Sequence, residues 1–258
     1  MSDETPVPTQ SRHGPRVLSR GLHAQVLHTL GREIVDAELS TGEVLNSEQL
    51  CERFSVSRSV IRECLRALES MGMVNARPQV GTRVSDPSNW DLLNPQVVLW
   101  RGQGTQYLQQ MHEILELRLG VETAAAGLAA HRMMRDDVRV LKDAVTTMTK
   151  ASEVGDDEAF LAADITFHNA LLKGAGNAVI AQFADTVAAV LRTRSGDYSH
   201  TFNHRTKHSM ENHMALAEAL EARDPGEASK WARVIVQDTL TEFQERSSGR
   251  YHSGPTRA

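Results

Sequence analysis

The chain has 258 residues, 40% of them hydrophobic, 24% charged and only 5% aromatic, a composition ordinary for a soluble globular protein long enough for two modest cores. No apolar run approaches the roughly 18 to 20 residues of a membrane span, and Met1 to Arg16 carries no apolar signal-peptide core. A net charge of −5 excludes a globally basic nucleic-acid coat while leaving room for a local basic face.

A cytoplasmic protein is expected, with residues 1–16 as a disordered tail. Every Lys/Arg position before Lys142 is arginine, the better residue for bidentate contacts to phosphate or guanine, although a GC-rich genome produces the same bias. From Leu18 to Leu39 the apolar residues Leu22, Val26, Leu30, Ile34 and Val35 share one side of a helix. After the turn at Gly42, Ser47 is the expected N-cap of a short helix ending near Phe54. Ser57 then caps a third helix that runs to about Met71, and Gly72 stops it. Met73 to Ala76 and Thr82 to Val84 alternate like two short strands around Pro78-Gln79-Val80-Gly81, which predicts a β-hairpin. Cys51 and Cys64 fall within the helical patterns and read as small apolar side chains in a reducing compartment.

Helix, helix, turn, helix and hairpin in this order make a winged helix-turn-helix. On the third helix Ile61, Leu65 and Leu68 repeat at core spacing, while Arg58, Arg62 and Arg66 repeat at i, i+4 and i+8 on another face. Ser57 and Ser59 sit at the helix N-terminus, where hydroxyls and free N–H groups meet phosphate. Such a ladder suits the DNA major groove. A solvated face with ion pairs to Glu63 or Glu69 is the plainer alternative.

The run from Leu50 to Val74 resembles the DNA-binding domain of the GntR family, whose general form is L-A-x-x-L/F-x-V-S-R-x-x-V-R-E-A-L-x-x-L-x-x-x-G-L-V. The resemblance covers most of residues 18 to 85. It implies operator contacts from Ser57, Arg58 and Arg62, with Gly81 shaping the wing. One departure stands out: the family usually has an arginine where this chain has Glu48, which predicts a missing contact and a shifted operator preference.

Pro87 and Pro95 bracket a connection, and residues 87–105 are expected as a linker between a DNA-binding domain at 17–86 and an all-α domain at 106–246. Helices are expected over Val97–Gly102, Gln106–Met133, Asp136–Val154, Asp156–Gly174, Ala178–Arg194, Phe202–Ala222 and Asp224–Arg246, with residues 247–258 as a second disordered tail. The fold class is therefore mainly α. Within this half Asp164 and His168 are four apart on one helix and so share a face, and His213 lies on a later helix. An aspartate and two imidazoles suit Zn²⁺, Ni²⁺ or another divalent ion, although an Asp–His pair at this spacing is also common as a simple surface pair.

Arg118 with Glu122, Asp164-Ile-Thr-Phe-His168, Gly176-Asn177, and His213 within Glu211-Asn-His-Met-Ala-Leu-Ala resemble the FCD effector domain of the FadR subfamily, over about residues 106 to 245. In metal-binding members this resemblance implies Asp164, His168 and His213 as ligands. A further histidine of the family's pattern falls on Ile235 here, so three protein ligands with open positions are expected. Arg118 is the expected partner of an effector carboxylate, against an ion pair with Glu122 as the plainer reading; Arg192, His208 and Ser209 are further candidates for the effector pocket. Residues Asn89 to Trp100 resemble the linker of the sugar-acid branch, which includes galactonate- and gluconate-operon repressors. Trp90 and Trp100 are read as packing anchors rather than ligand platforms.

The implied protein is a homodimeric, non-membrane repressor that binds palindromic operator DNA and is released by a small carboxylate such as gluconate or galactonate. Two rivals remain at this point. One is a metal-dependent enzyme centred on Asp164, His168 and His213, for which no nucleophile, general base or phosphate-binding Gly loop is evident; the other is a constitutive DNA binder.

Overall fold

The computed structural model describes residues 16–77, 81–193 and 207–251. The expected N-terminal tail before residue 16, the hairpin tip at 78–80 and the start of the helix expected from Phe202 lie outside the described residues. The chain divides into two compact units, residues 1–34 with 39–89 and residues 35–38 with 90–258.

In the first unit, α1 (Arg16–Val35) ends before the expected Leu39, because Ala37 turns into left-handed backbone at φ 60°. Its buried face uses Val26, Leu30 and Ile34, while Leu22 stays exposed. Strand β1 (Val44–Leu45), not foreseen from its two residues, leads into α2 (Ser47–Phe54). The N-cap is Asn46 rather than the expected Ser47: its side-chain oxygen accepts from the N–H groups of Glu48 at 2.8 Å and Gln49 at 3.2 Å. Ser55, in left-handed conformation, closes α2, and α3 (Arg58–Ser70) starts three residues later from the Ser57 cap. Val60, Ile61, Cys64, Leu65 and Leu68 form its buried stripe.

Strands β2 (Val74–Arg77) and β3 (Gly81–Val84) pair antiparallel, with Val74 opposite Val84 and Arg77 opposite Gly81. The two-residue β1 pairs with the other edge of β3, giving the sheet order β1-β3-β2. At Gly81 the backbone has φ +87°, a conformation that L side chains rarely adopt. Both cysteines are free. Burial, reinforced by the charge of Glu63, pushes the Cys64 thiol up to about 11, which leaves it an inert core residue.

The second unit contains helices and no strand among its described residues. Its helices are α4 (Pro95–Arg101), α5 (Tyr107–Arg132), α6 (Arg135–Val154), α7 (Asp157–Gly174), α8 (Ala178–Thr193), α9 (Lys207–Glu221) and α10 (Pro225–Tyr251). Where the residues are described, the expected boundaries hold to within a few residues, except that α10 continues past Arg246 to Tyr251, into the stretch expected as a second tail. Local chemistry fixes the ends: Asn94 caps α4 with Pro95 behind it, Asp156 caps α7, and Gly155 ends α6 in left-handed conformation. Long α5 packs along α10, α6 along α7, and α7 along α8. Val97, Val98 and Trp100 of α4 are fully buried, and the Gln110 side-chain amide donates to the Val98 carbonyl at 2.8 Å. No described helix is long and apolar enough to cross a membrane.

Candidate functional site

Two sites stand out, one in each unit. In the first, the stripe of α3 that faces the core leaves Arg58, Arg62 and Arg66 exposed on the opposite side. They line one groove of about 680 Å³ with Ser47, Glu48, Ser59, Glu69 and the wing residues Ala76 and Thr82. The serine hydroxyls at the helix start also have local work: the Ser57 Oγ accepts from the Val60 N–H at 3.4 Å and lies 2.8 Å from the Ser59 Oγ. Glu48 is drawn into the group through its carboxylate, 2.9 Å from the Arg58 Nη2. The neighbouring Glu69 instead accepts from the Ala76 N–H at 3.1 Å, tying the end of α3 to the wing. Gly81 begins β3 beside this groove's Thr82.

The second site is buried. Asp164 and His168 stand one turn apart on α7, and α9 brings His213 to them, so that one donor atom from each lies within 4.8 Å of the others. The Asp164 Oδ1 is 3.4 Å from the His168 Nε2 and 3.8 Å from the His213 Nε2. Phe167 sets its ring edge-on to both imidazoles and walls the cluster on one side.

The other ring nitrogen of each histidine is held from behind. The His213 Nδ1–H donates to the Ser209 carbonyl at 2.7 Å, and the His168 Nδ1–H donates to the Glu122 carboxylate at 2.7 Å. Both bonds turn Nε2 toward Asp164, the arrangement in which a histidine presents a lone pair to a metal. Burial drives the His213 imidazole down to about 4, against the pull of Asp164, so at neutral pH it is uncharged. Its Nε2 is buried and has no hydrogen-bond partner. An orphaned acceptor of this kind costs free energy unless something fills it.

Glu122 links the cluster to a cation. Its Oε1 accepts from the Arg118 Nε at 2.6 Å, both side chains being almost wholly buried. Burial opposes ionisation of Glu122, but the charges of Arg118 and His168 prevail and hold the carboxyl at about 2. Burial likewise opposes a charge on His168, yet Glu122 beside it raises its pKa above the usual histidine value. Arg118 therefore makes the ion pair expected from its i, i+4 spacing, and its Nη1 remains buried with no hydrogen-bond partner.

The donor set fits a divalent ion. With bonds near 2.0–2.1 Å, tetrahedral geometry separates ligand atoms by about 3.3 Å, close to the Asp164–His168 distance and slightly inside the Asp164–His213 distance. Ile235, on α10, is buried in the core shared by these helices and offers no ligand. Among the other expected pocket residues, Ser209 contributes its carbonyl to His213, while His208 is largely exposed against Asn212 and Asp238. Arg192 is exposed on the last turn of α8. Glu122, which sequence reading treats only as the partner of Arg118, is the link between that arginine and the histidine.

The domain model for bacterial regulatory proteins of the gntR family matches residues 22–84, and the FCD domain model matches residues 113–238. The chain is 27% identical over 227 residues to the galactonate operon transcriptional repressor of Escherichia coli K12, covering 86% of this chain and 96% of that one. It is 31% identical over 167 residues to the transcriptional regulator LutR of Bacillus subtilis, covering 61% of this chain and 70% of LutR. This chain belongs to the gntR family. Its fold resembles the solved structure of Lar, a protein that controls expression of the Listeria monocytogenes agr system, at a TM-score of 0.61 and 20% identity over 87% of this chain and 97% of that one. A gntR-family protein with an FCD domain is a DNA-binding transcription regulator and not an enzyme, which removes the catalytic reading of the Asp–His–His cluster.

Proposed function

We propose that this gntR regulator is a homodimeric repressor of sugar-acid catabolism, released from its operator when a small hydroxycarboxylate binds at a divalent ion held by Asp164, His168 and His213. The observation that carries the reading is the buried Arg118 Nη1 without a partner, on a side chain already fixed to the His168 support by Glu122. An unfilled guanidinium donor in such a place suits a carboxylate. Charge points the same way. With both imidazoles neutral as metal ligands, Asp164 and Glu122 carry one negative charge each and Arg118 one positive, so a divalent ion leaves the site with net charge +1, ready for an anion.

The ion would supply Lewis-acid attraction for the carboxylate and α-hydroxyl of the effector, and because Ile235 contributes no ligand, coordination positions are left for them. Similarity to a galactonate operon repressor supports a polyhydroxy acid. In the first unit Arg58, Arg62 and Arg66, with the hydroxyls of Ser57 and Ser59 and the wing at Gly81, take the operator half-site. Two copies place two such helices one helical turn apart on a palindrome. The acid lowers operator affinity only by as much as it prefers the released arrangement.

Melting curves with gluconate, galactonate and related acids, each with and without chelator, test this directly, because stabilisation grows with ligand concentration over Kd. An acid that raises Tm in the metal-loaded protein, loses that effect with chelator or in Arg118→Met, and releases operator DNA is the expected result. Shifts indifferent to chelator refute the metal-bridged pocket.

A further inference from the structure

We infer that Glu48 is a specificity-determining residue, whose carboxylate holds Arg58 for guanine readout and keeps it off the phosphate backbone. The inference rests on α3 reading the operator.

The local chain geometry brings the pair together. Asn46 caps α2, which puts Glu48 in its first turn, and Ser57 caps α3, which makes Arg58 its first residue. A cation at a helix N-terminus is unfavourably placed against the helix dipole, and the first turn of α3 contains no acidic residue to offset it. Glu48 supplies that charge from the neighbouring helix at 2.9 Å. Both side chains are 70–79% exposed, so the contact contributes little to folding. Its consequences lie in what the groove binds.

Within the groove Glu48 lies among Arg58, Arg62 and Arg66. An exposed arginine on a flexible stem goes most readily to phosphate, which carries no sequence information. Glu48 changes that competition in two ways. Its charge repels a phosphate approaching the start of α2. Its grip on one Nη2 hydrogen leaves the other Nη2 hydrogen and the Nη1 side of the fork for the O6 and N7 of guanine. Part of the attraction for generic duplex is given up in return for discrimination, since specificity is a difference between two affinities.

Selection from a randomised duplex library, followed by salt-dependent binding to selected and generic duplexes, tests the inference on the full-length protein. The wild type is expected to enrich guanine at one half-site position, and Arg58→Ala to lose it. Glu48→Gln, nearly isosteric and uncharged, is expected to lower that guanine preference by about tenfold. It should also tighten generic-duplex binding and steepen the salt dependence by about one phosphate contact per half-site. In an Arg58→Ala background, Glu48→Gln should no longer alter the preference at that position. Should Arg58→Ala leave selection intact, α3 is not the reader at that position. Should Arg58 matter while Glu48→Gln changes neither preference nor salt slope, the assignment of Glu48 is wrong. Unchanged melting of both variants separates these outcomes from misfolding.

Discussion

At His213 a single side chain couples folding to acidity. Its imidazole is held near 4 in the folded chain by burial, against about 6.5 when unfolded. The unfolded state therefore binds more protons between these values, and stability falls as pH drops from about 6.5 toward 4, by on the order of 3 kcal/mol. Glu122, held at about 2, adds loss of the same sign only below its ordinary range of about 4.5. His168, raised by Glu122, acts the other way: its contribution is complete below about 6.5 and is lost as pH rises through its folded value. Denaturant unfolding of chelated protein at pH 7, 6 and 5 should show the acid-side loss, and His213→Gln should flatten it. An unchanged slope in that variant removes His213 as the cause. The pairing of Asp164 with His168 is legible in the sequence because a helix fixes i, i+4 geometry. Nothing in one sequence says that α9 delivers His213 to the same point, or that Glu122 continues from Arg118 to His168; both depend on how helices far apart in the chain are packed.

Among the elements, α4 shows how far a short helix depends on one small residue. Residues 87–105 read as linker from the prolines, yet Val97, Val98 and Trp100 are buried and Gln110 binds the Val98 carbonyl. The α4–α8 approach runs through Gly102, where an added Cβ would stand 2.3 Å from the Thr193 Cγ2. Gly102→Ala is accordingly expected to lever the end of α4 off α8 and destabilise the second unit by about 1–3 kcal/mol, read as a drop in Tm. Thr193→Ala should relieve only part of this, since the Thr193 Cβ itself stands 2.7 Å from the same position. A Gly102→Ala protein that melts like the wild type would show that this approach is slack. The cap of α2 teaches a related lesson: Asn46 and Ser47 are both good caps by type, and only the backbone decides that Asn46 stays extended while Ser47 begins the helix.

Across the whole molecule, the net charge is −5, so the proposed grip on DNA must come from one local basic face. Salt dependence should therefore follow the arginines of α3 rather than the total charge. Arg66→Ala is expected to weaken binding to selected and generic duplexes about equally and to reduce the salt slope by about one per half-site; a loss confined to the selected duplex would instead make Arg66 a base reader. The sequence by itself determines the order of elements, the mainly helical class, the winged arrangement and the stripe that separates core from arginines, because each follows from spacing and caps within a few turns of chain. Tertiary structure decides the rest. It closes Asp164, His168 and His213 around a buried centre, ties Arg118 to that centre through Glu122, and makes Glu48 the partner of Arg58. Those outcomes turn on distances between separate helices, which no local pattern specifies.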